Sequence, residues 1–253
     1  MKQSAVAAKQ FGDTAAAYLT SAVHAQGADL QAVKDVVVGF DGAAVLDLGC
    51  GAGHVSFAVA PVAARVTACD LSSQMLAVVA GAAQERGLTN IETQQAQAER
   101  LPFADASFDV VITRFSAHHW SDVPAGLREA HRVLKTGGVM IVIDIVAPEQ
   151  PLHDTTLQAV ELLRDASHVR DYRVSEWGAM LDAAGFTHAH VRSWKLKMVF
   201  DEWTARMRTP PERIVAIRSL LDSAPEETRA YFAVEGDHSF SIDAALFEAW
   251  KRA

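Results

Sequence analysis

The sequence predicts a doubly wound α/β fold, a mostly parallel sheet of seven strands with helices on both faces. Three observations carry that prediction. Short apolar runs alternate with stretches of helical spacing between residues 43 and 146. A glycine-rich segment, Gly49 to Gly53, directly follows the first of those runs. The length of 253 residues suits one large α/β core with a cap and is short for two independent domains.

Along the chain, residues 5–22 and 29–38 read as two amphipathic helices separated by Gly27. Alanine richness in this region suits helices, because alanine has the lowest helical cost. At residue 43 the period changes. Residues 43–48 (Ala-Ala-Val-Leu-Asp-Leu) form a continuous apolar run ended by Gly49, the pattern of a strand buried on both faces. A helix follows over 54–62, a strand over 65–70, a helix over 73–86 terminated by Gly87, and a weaker strand over 90–95. Residues 108–113 give a strongly apolar fourth strand, 124–133 a helix, Gly137-Gly138 a turn and 139–144 the fifth strand. This alternation implies βαβ units with right-handed crossovers. Beyond Pro148 the pattern predicts helices over 149–166 and 175–184 and an alternating strand over 188–199. A mostly helical stretch over 202–234 is broken by Pro210, Pro211 and Pro225. Residues 240–250 read as a last strand, although a helix fits them almost as well.

Half the residues are hydrophobic and the formal net charge is -8, so a globular chain is expected and disorder is not. With no excess of Lys and Arg to release counterions, a nucleic-acid backbone is not expected as the main partner. Cys50 and Cys69 sit in apolar context and read as buried thiols in a reducing compartment, against the minority readings of a disulfide or a metal pair. No N-terminal apolar core suits a signal peptide, and no run approaches the roughly 20 residues that cross a bilayer. A cytoplasmic protein without a membrane partner is the expectation.

The chemistry concentrates in Val45-Leu46-Asp47-Leu48-Gly49-Cys50-Gly51-Ala52-Gly53. Glycines directly after the first strand let the backbone turn tightly and approach a ligand at the carboxyl end of the sheet. Their spacing is G-x-G-x-G, where the dinucleotide fingerprint is G-x-G-x-x-G. Asp47, two residues before the first glycine, would repel a pyrophosphate. It suits a cationic ligand, and S-adenosylmethionine carries an ammonium and a sulfonium. Asp70 ends the second strand, where a carboxylate can accept hydrogen bonds from both ribose hydroxyls. Leu71 and Met75 would then border the adenine or ribose.

Further on stand Gln95-Ala96-Gln97-Ala98-Glu99-Arg100-Leu101-Pro102-Phe103 and Phe108-Asp109-Val110-Val111. With these, the chain resembles the class I S-adenosylmethionine-dependent methyltransferases over roughly residues 9 to 146, with four motifs in order. In particular it is similar to the branch related to the ubiquinone/menaquinone-biosynthesis enzymes (methyltransferase type 11). The resemblance implies a Rossmann-like methyltransferase with S-adenosyl-L-methionine as cofactor. It implies that Asp47, Gly49 and Gly51, with Cys50 between them, line the methionine part, that Asp70 holds the ribose, and that Gln97 and the Ala98 amide meet the adenine edge. The family usually has Asp where this chain has Gln97; a Gln carbonyl can still accept from the adenine amino group, without charge assistance. Phe11 and Tyr18 match the branch's N-terminal helix, which folds over the cofactor; the competing reading is two core aromatics on one helical face.

After the fourth strand comes Arg114-Phe115-Ser116-Ala117-His118-His119-Trp120, a position that in this fold faces the transferable methyl group. Arg114 is placed with the cofactor set and also at the acceptor cleft. A metal is not expected, because a lone His pair lacks further ligands and the usual spacing. If the acceptor must lose a proton, His118, His119 and His168 are the candidate bases. Arg164 and Arg170 lie in the predicted insertion over the same sheet edge and are candidate acceptor-binding residues. Two Arg- and His-rich segments converging on one cleft would favour a small acceptor bearing a carboxylate or phosphate. The bland alternative pairs Arg164 with Asp165 and Arg170 with Asp171. The expectation is one methyltransferase domain over 1–253, with a helical cap at 1–40, a cofactor core at 41–146 and an acceptor side at 147–253. The rival functions are a non-catalytic binder of the same cofactor and a nicotinamide-dependent oxidoreductase. The sequence leaves the oligomeric state open.

Overall fold

The structure is a computed structural model, and it describes residues 2–12 and 27–252. The apolar runs form strands β1 (Ala44–Leu48), β2 (Arg65–Asp70), β3 (Ile91–Gln95), β4 (Phe108–Arg114) and β5 (Leu134–Ala147). Two long strands, β7 (Thr187–Met198) and β8 (Phe240–Trp250), follow a two-residue strand, β6 (Tyr172–Arg173). The sheet order is β3-β2-β1-β4-β5-β8-β7, with β6 pairing the end of β5. Strands β1 to β6 pair in parallel, and β8 runs antiparallel to both β5 and β7. The chain order reverses between β1 and β4, which opens a crevice at their carboxyl ends.

Side-chain alternation decides which helix covers which face. Val45, Val110, Ile112, Val139 and Ile141 pack against α2 (Ala28–Val38) and α3 (His54–Val59). Their neighbours Leu46, Leu48, Val111 and Met140 point the other way, onto α5 (Val123–Val133) and α7 (Val174–Ala183). Both faces are therefore buried, as continuous apolar strands require. Helix α4 (Ser73–Glu85) covers β2 through Leu76 and Val79, and Ser72 caps it by accepting from the Met75 amide. A third cluster, built on Trp203, Phe200 and Phe240, packs α6 (Pro151–Arg164), α8 (Phe200–Arg206), α9 (Pro211–Ser223) and α10 (Glu226–Tyr231) over β5, β7 and β8. Each such fully buried aromatic contributes about 1.5–3 kcal/mol. Helix α1 (Gln3–Gly12) packs against α4, with Phe11 on Met75, at the carboxyl end of the sheet.

Several expectations change. The sheet has eight strands where the sequence predicted seven, because two residues are enough for Tyr172 and Arg173 to pair with Val146 and Ala147. The helix predicted over 54–62 ends as α3 at Val59 and finishes in a 3-10 turn, Ala60–Val62, since Pro61 has no amide to continue the ladder. The predicted turn at Gly137-Gly138 lies inside β5, where the pairing with β4 shifts register. There Gly137 takes φ 80° and donates to the Lys251 carbonyl, so the glycines form an irregularity in a continuous strand. Residues 240–250 are a strand, β8. Of the helix predicted over 5–22, residues 13–22 lie outside the described residues, and Tyr18 with them.

Candidate active site

The loop after β1 owes its shape to glycine. Gly49 has φ 73°, and a Cβ there would stand 1.9 Å from the Ser116 hydroxyl oxygen at the end of β4. Gly53 has φ 85°, and a Cβ would meet Val79 of α4 at 2.9 Å. Conformation and space both exclude a side chain at these positions. Asp47 is buried beneath the loop, and its Oδ2 accepts from the Ser56 amide at 2.9 Å and hydroxyl at 2.6 Å, tying β1 to α3. Burial pushes the Asp47 carboxyl up to about 6, with the Ser56 hydrogen bonds pulling against it. At the end of β2, Asp70 accepts from the Gly51 amide through Oδ2 (2.9 Å) and from the Ser72 amide through Oδ1 (2.8 Å). One acid thus holds both the glycine loop and the following turn. Each of its oxygens keeps a second lone pair.

Around this loop a cavity is lined by residues from five parts of the chain. It gathers Phe11 of α1, Asp47 with Gly49, Cys50 and Gly51, then Asp70, Leu71 and Met75, then Gln97 and Ala98, and finally Arg114 and His119. Cys50 and Cys69 are free thiols, both buried. Gln97 is exposed and stands in the cavity lining beside buried Ala98. Arg114 pairs with Asp29 of α2 and lies over the Phe115 ring, 4.7 Å from its centroid. Phe11 meets the His119 ring edge-on at 4.7 Å. Among the described residues no cluster of three metal-ligating side chains occurs, and no helix is long and apolar enough to cross a membrane.

A methyltransferase-domain signature matches residues 46–142. The chain is 36% identical to the uncharacterised methyltransferase YcgJ of Bacillus subtilis strain 168, over 96% of this chain and 98% of that one. The crystal structure of YcgJ superimposes with a TM-score of 0.83 at 35% identity, covering 88% of this chain and 99% of that one. The chain belongs to the class I S-adenosylmethionine-dependent methyltransferases. It is also 47% identical to the uncharacterised protein YafE of Escherichia coli K12, over 81% of this chain and 99% of that one. To the ubiquinone/menaquinone C-methyltransferase UbiE of Sinorhizobium fredii NGR234 it is 39% identical, over 44% of each chain. The likeness to UbiE thus covers less than half the chain.

The other predicted residues of this methyltransferase lie elsewhere. His118 and His168 are absent from the cavity lining, as are Arg164 and Arg170. The two segments do converge: the His118 carbonyl accepts from the Val169 amide at 2.8 Å, and the His118 and His168 rings lie 6.0 Å apart. They converge on a buried network. His118 Nδ1 bonds Asp144 Oδ1 of β5 at 2.5 Å. Burial opposes a charge on this ring, but the Asp144 carboxylate outweighs it and holds the imidazole up to about 9. His168 Nε2 donates to Gln158 at 3.1 Å, and burial together with charged His118 pushes it down to about 2, so it is neutral. Arg164 pairs with Glu161 and donates to the Trp203 carbonyl. Arg170 pairs with Asp154 at 3.1 Å and Glu176 at 3.5 Å. The partners differ from the neighbours Asp165 and Asp171 because helical spacing and the fold bring more distant acids closer.

Sequence reading missed the residues that hold the site together. Trp120 lines the cavity, donates to Ser116 Oγ at 3.2 Å and packs on Gly126, where a Cβ would stand 2.7 Å from its ring. Glu99 accepts from the Ser121 amide and hydroxyl and the Asp122 amide. Asp109 bonds the Ala44 amide and Lys135, which fastens β4 to β1. Glu99 and Asp109 belong to motifs quoted from the sequence, so the signal was present. Their role is to bridge segments that only the fold brings together.

Proposed function

We propose that this chain is an active methyltransferase that binds S-adenosylmethionine along the glycine loop and transfers its methyl group to a small-molecule acceptor. The observation that carries the reading is the joining of two kinds of wall in one cavity. One wall is the loop with Asp47 and Asp70; the other is α1 with Phe11 and the turn bearing His119 and Trp120. The cofactor supplies an electrophilic methyl on a sulfonium. Its fit to the residues present rests on four features. Asp70 has lone pairs left to accept from ribose hydroxyls, and nothing lies within 4 Å of where a Cβ on Gly51 would stand. Leu71, Met75 and Ala98 offer apolar flanks, and Gln97, in the same lining, would accept from an adenine amino group.

Because positive charge disperses in methyl transfer, the chain's contribution is positioning and exclusion of water. Phe11 and the α1 residues Ala7 and Ala8 would close the cavity from above. Arg164 and Arg170 are engaged by carboxylates outside the cavity, which supports an uncharged acceptor over an anionic one. The two free thiols suit a reducing, cytoplasmic setting. A labelled-methyl assay against a panel of neutral and anionic metabolites tests the reading. Transfer to at least one acceptor is expected; cofactor binding with no transfer to any of them would support a non-catalytic binder instead.

A further inference from the structure

His119 is the one histidine after β4 that lines the cavity, and its ring nitrogens are in unequal surroundings. Nδ1 faces the Ser167 backbone carbonyl at 3.2 Å and the Ser167 hydroxyl oxygen at 3.3 Å. A carbonyl can only accept. The Ser167 hydroxyl has committed its hydrogen to Asp165 Oδ1, at 2.7 Å, so toward His119 it too can only accept. Nδ1 must therefore carry the proton, and Nε2 is left with a bare lone pair. No described residue engages Nε2. The Ser167 carbonyl also accepts from Gln3 of α1, at 2.5 Å, so one backbone oxygen ties the closing helix and the imidazole to the same point. Phe11 on that helix fixes the ring plane from the edge.

The imidazole is kept neutral. Burial opposes a charge on it, the charged His118 ring lies 4.1 Å away, and Asp165, at 4.0 Å, compensates only in part, so His119 is pushed down to about 3. The rest of this wall is apolar or already engaged. Ala7, Ala8, Phe11, Phe115 and Trp120 supply carbon surface, and the Ser116 hydroxyl accepts from Trp120. Of the charged groups in the lining, Arg114 is paired with Asp29, while the acids Asp47, Asp70 and Glu99 would repel a further anion. With Nδ1 turned onto Ser167 and the ring in the cavity lining, Nε2 is a hydrogen-bond acceptor in a largely apolar wall.

We propose that His119 Nε2 is the atom that recognises the methyl acceptor, and that the acceptor is an uncharged molecule with an apolar body that donates an O–H or N–H hydrogen to it, in preference to a carboxylate. Donating that hydrogen leaves the acceptor's remaining lone pair for the incoming methyl, which makes His119 a specificity-determining residue. As that bond forms the methyl–sulfonium bond breaks, S-adenosylhomocysteine is the leaving group, and the oxonium or ammonium formed releases its proton to water. His118, held by Asp144, and Ser167, held by Asp165, are positioning residues for it. This inference rests on the methyltransferase reading above and specifies its acceptor.

The test uses the full chain saturated with S-adenosylhomocysteine and three probes: benzyl alcohol, benzyl methyl ether and benzoate. Imidazole nitrogen NMR of His119 should show the Nδ1–H tautomer, and benzyl alcohol alone should shift the Nε2 resonance in the direction of an accepted hydrogen bond. The alcohol should bind about three- to tenfold more tightly than the ether, the equilibrium equivalent of one neutral hydrogen bond. In His119→Phe that preference should vanish while S-adenosylhomocysteine affinity is retained. The Nε2–H tautomer, tighter binding of benzoate, or no response to any probe with S-adenosylhomocysteine bound would overturn the inference alone. Failure of S-adenosylhomocysteine to bind would remove the methyltransferase reading as well.

Discussion

Asp70, ending β2, and Asp171, preceding β6, are both acids drawn largely out of water, but they keep different company. Asp70 accepts from two backbone amides, lines the cavity and keeps lone pairs to offer. Asp171 is fully buried away from the cavity, and its Oδ2 has no hydrogen-bond partner. Burial pushes its carboxyl well up, toward the protonated form. The same contrast holds between the regions around them. The glycine-loop side arranges polar groups by backbone contacts and leaves acceptors facing space. In and beneath the insertion, the Arg side chains and His118 are each matched to an acid, His118 with Asp144, Arg164 with Glu161, and Arg170 with Asp154. A high local density of Arg and His is therefore a poor guide to a ligand site; what matters is which lone pairs and protons remain unspent.

If the insertion is a self-contained structural network, its largest effects should be on stability. Asp144→Ala removes the partner of a buried pair and should cost about 3–5 kcal/mol in denaturant unfolding. His118 has its folded pKa raised from 6.5 to about 9. Its contribution is therefore fully present below pH 6.5 and lost as pH rises through about 9. That slope should be absent from the variant. A cost within experimental error would mean that the network is not structural.

Asp47 gives a comparable test on the loop side, with the titration in the acid range. Its folded pKa is raised from 3.8 to about 6, so its contribution is greatest below pH 3.8 and is lost as pH rises through about 6. A separation of about two pH units is worth roughly 3 kcal/mol. Asp47→Asn should flatten this slope by comparison with the wild type. A parallel pair of stability curves would contradict the burial assigned to Asp47.

Gly49→Ala forces a side chain into a positive-φ position and onto Ser116. Strain of about 1–3 kcal/mol is expected in unfolding, with loss of cofactor affinity in calorimetry. Retained affinity would show that the loop is not held by Ser116 and Trp120. The smallest effect is at Gln97. Gln97→Asp should tighten cofactor binding by about 1 kcal/mol if the side chain meets the adenine amino group, and be silent if it faces solvent. A marked loss would mean a differently built pocket.

The legible part of the molecule was the part written in local pattern. Residues 43–48, 65–70 and 108–113 read as strands because both of their faces are buried, and β1, β2 and β4 follow them closely. The glycine loop and Asp70 were legible because backbone conformation dictates residue type there. Tyr172 and Arg173 were not legible as a strand, since two residues carry no period. The partners of Arg164 and Arg170 were not legible either. Asp154 lies one helix away in sequence from Arg170, and only the packing of the insertion joins them. Among the three histidines, residue type gave no ranking; the carbonyl at Ser167 and the carboxylate at Asp144 distinguish them.

The central claim is that the loop side holds the methyl donor and the insertion does not. Calorimetric titration of S-adenosylhomocysteine into wild type, Asp70→Ala and Arg170→Ala measures it directly. Binding by the wild type is expected, with a loss of about 1–3 kcal/mol in Asp70→Ala from unpaired ribose hydroxyls and a released Gly51 amide, and wild-type affinity in Arg170→Ala. No binding by the wild type, unchanged binding by Asp70→Ala, or an equal loss in Arg170→Ala would contradict it.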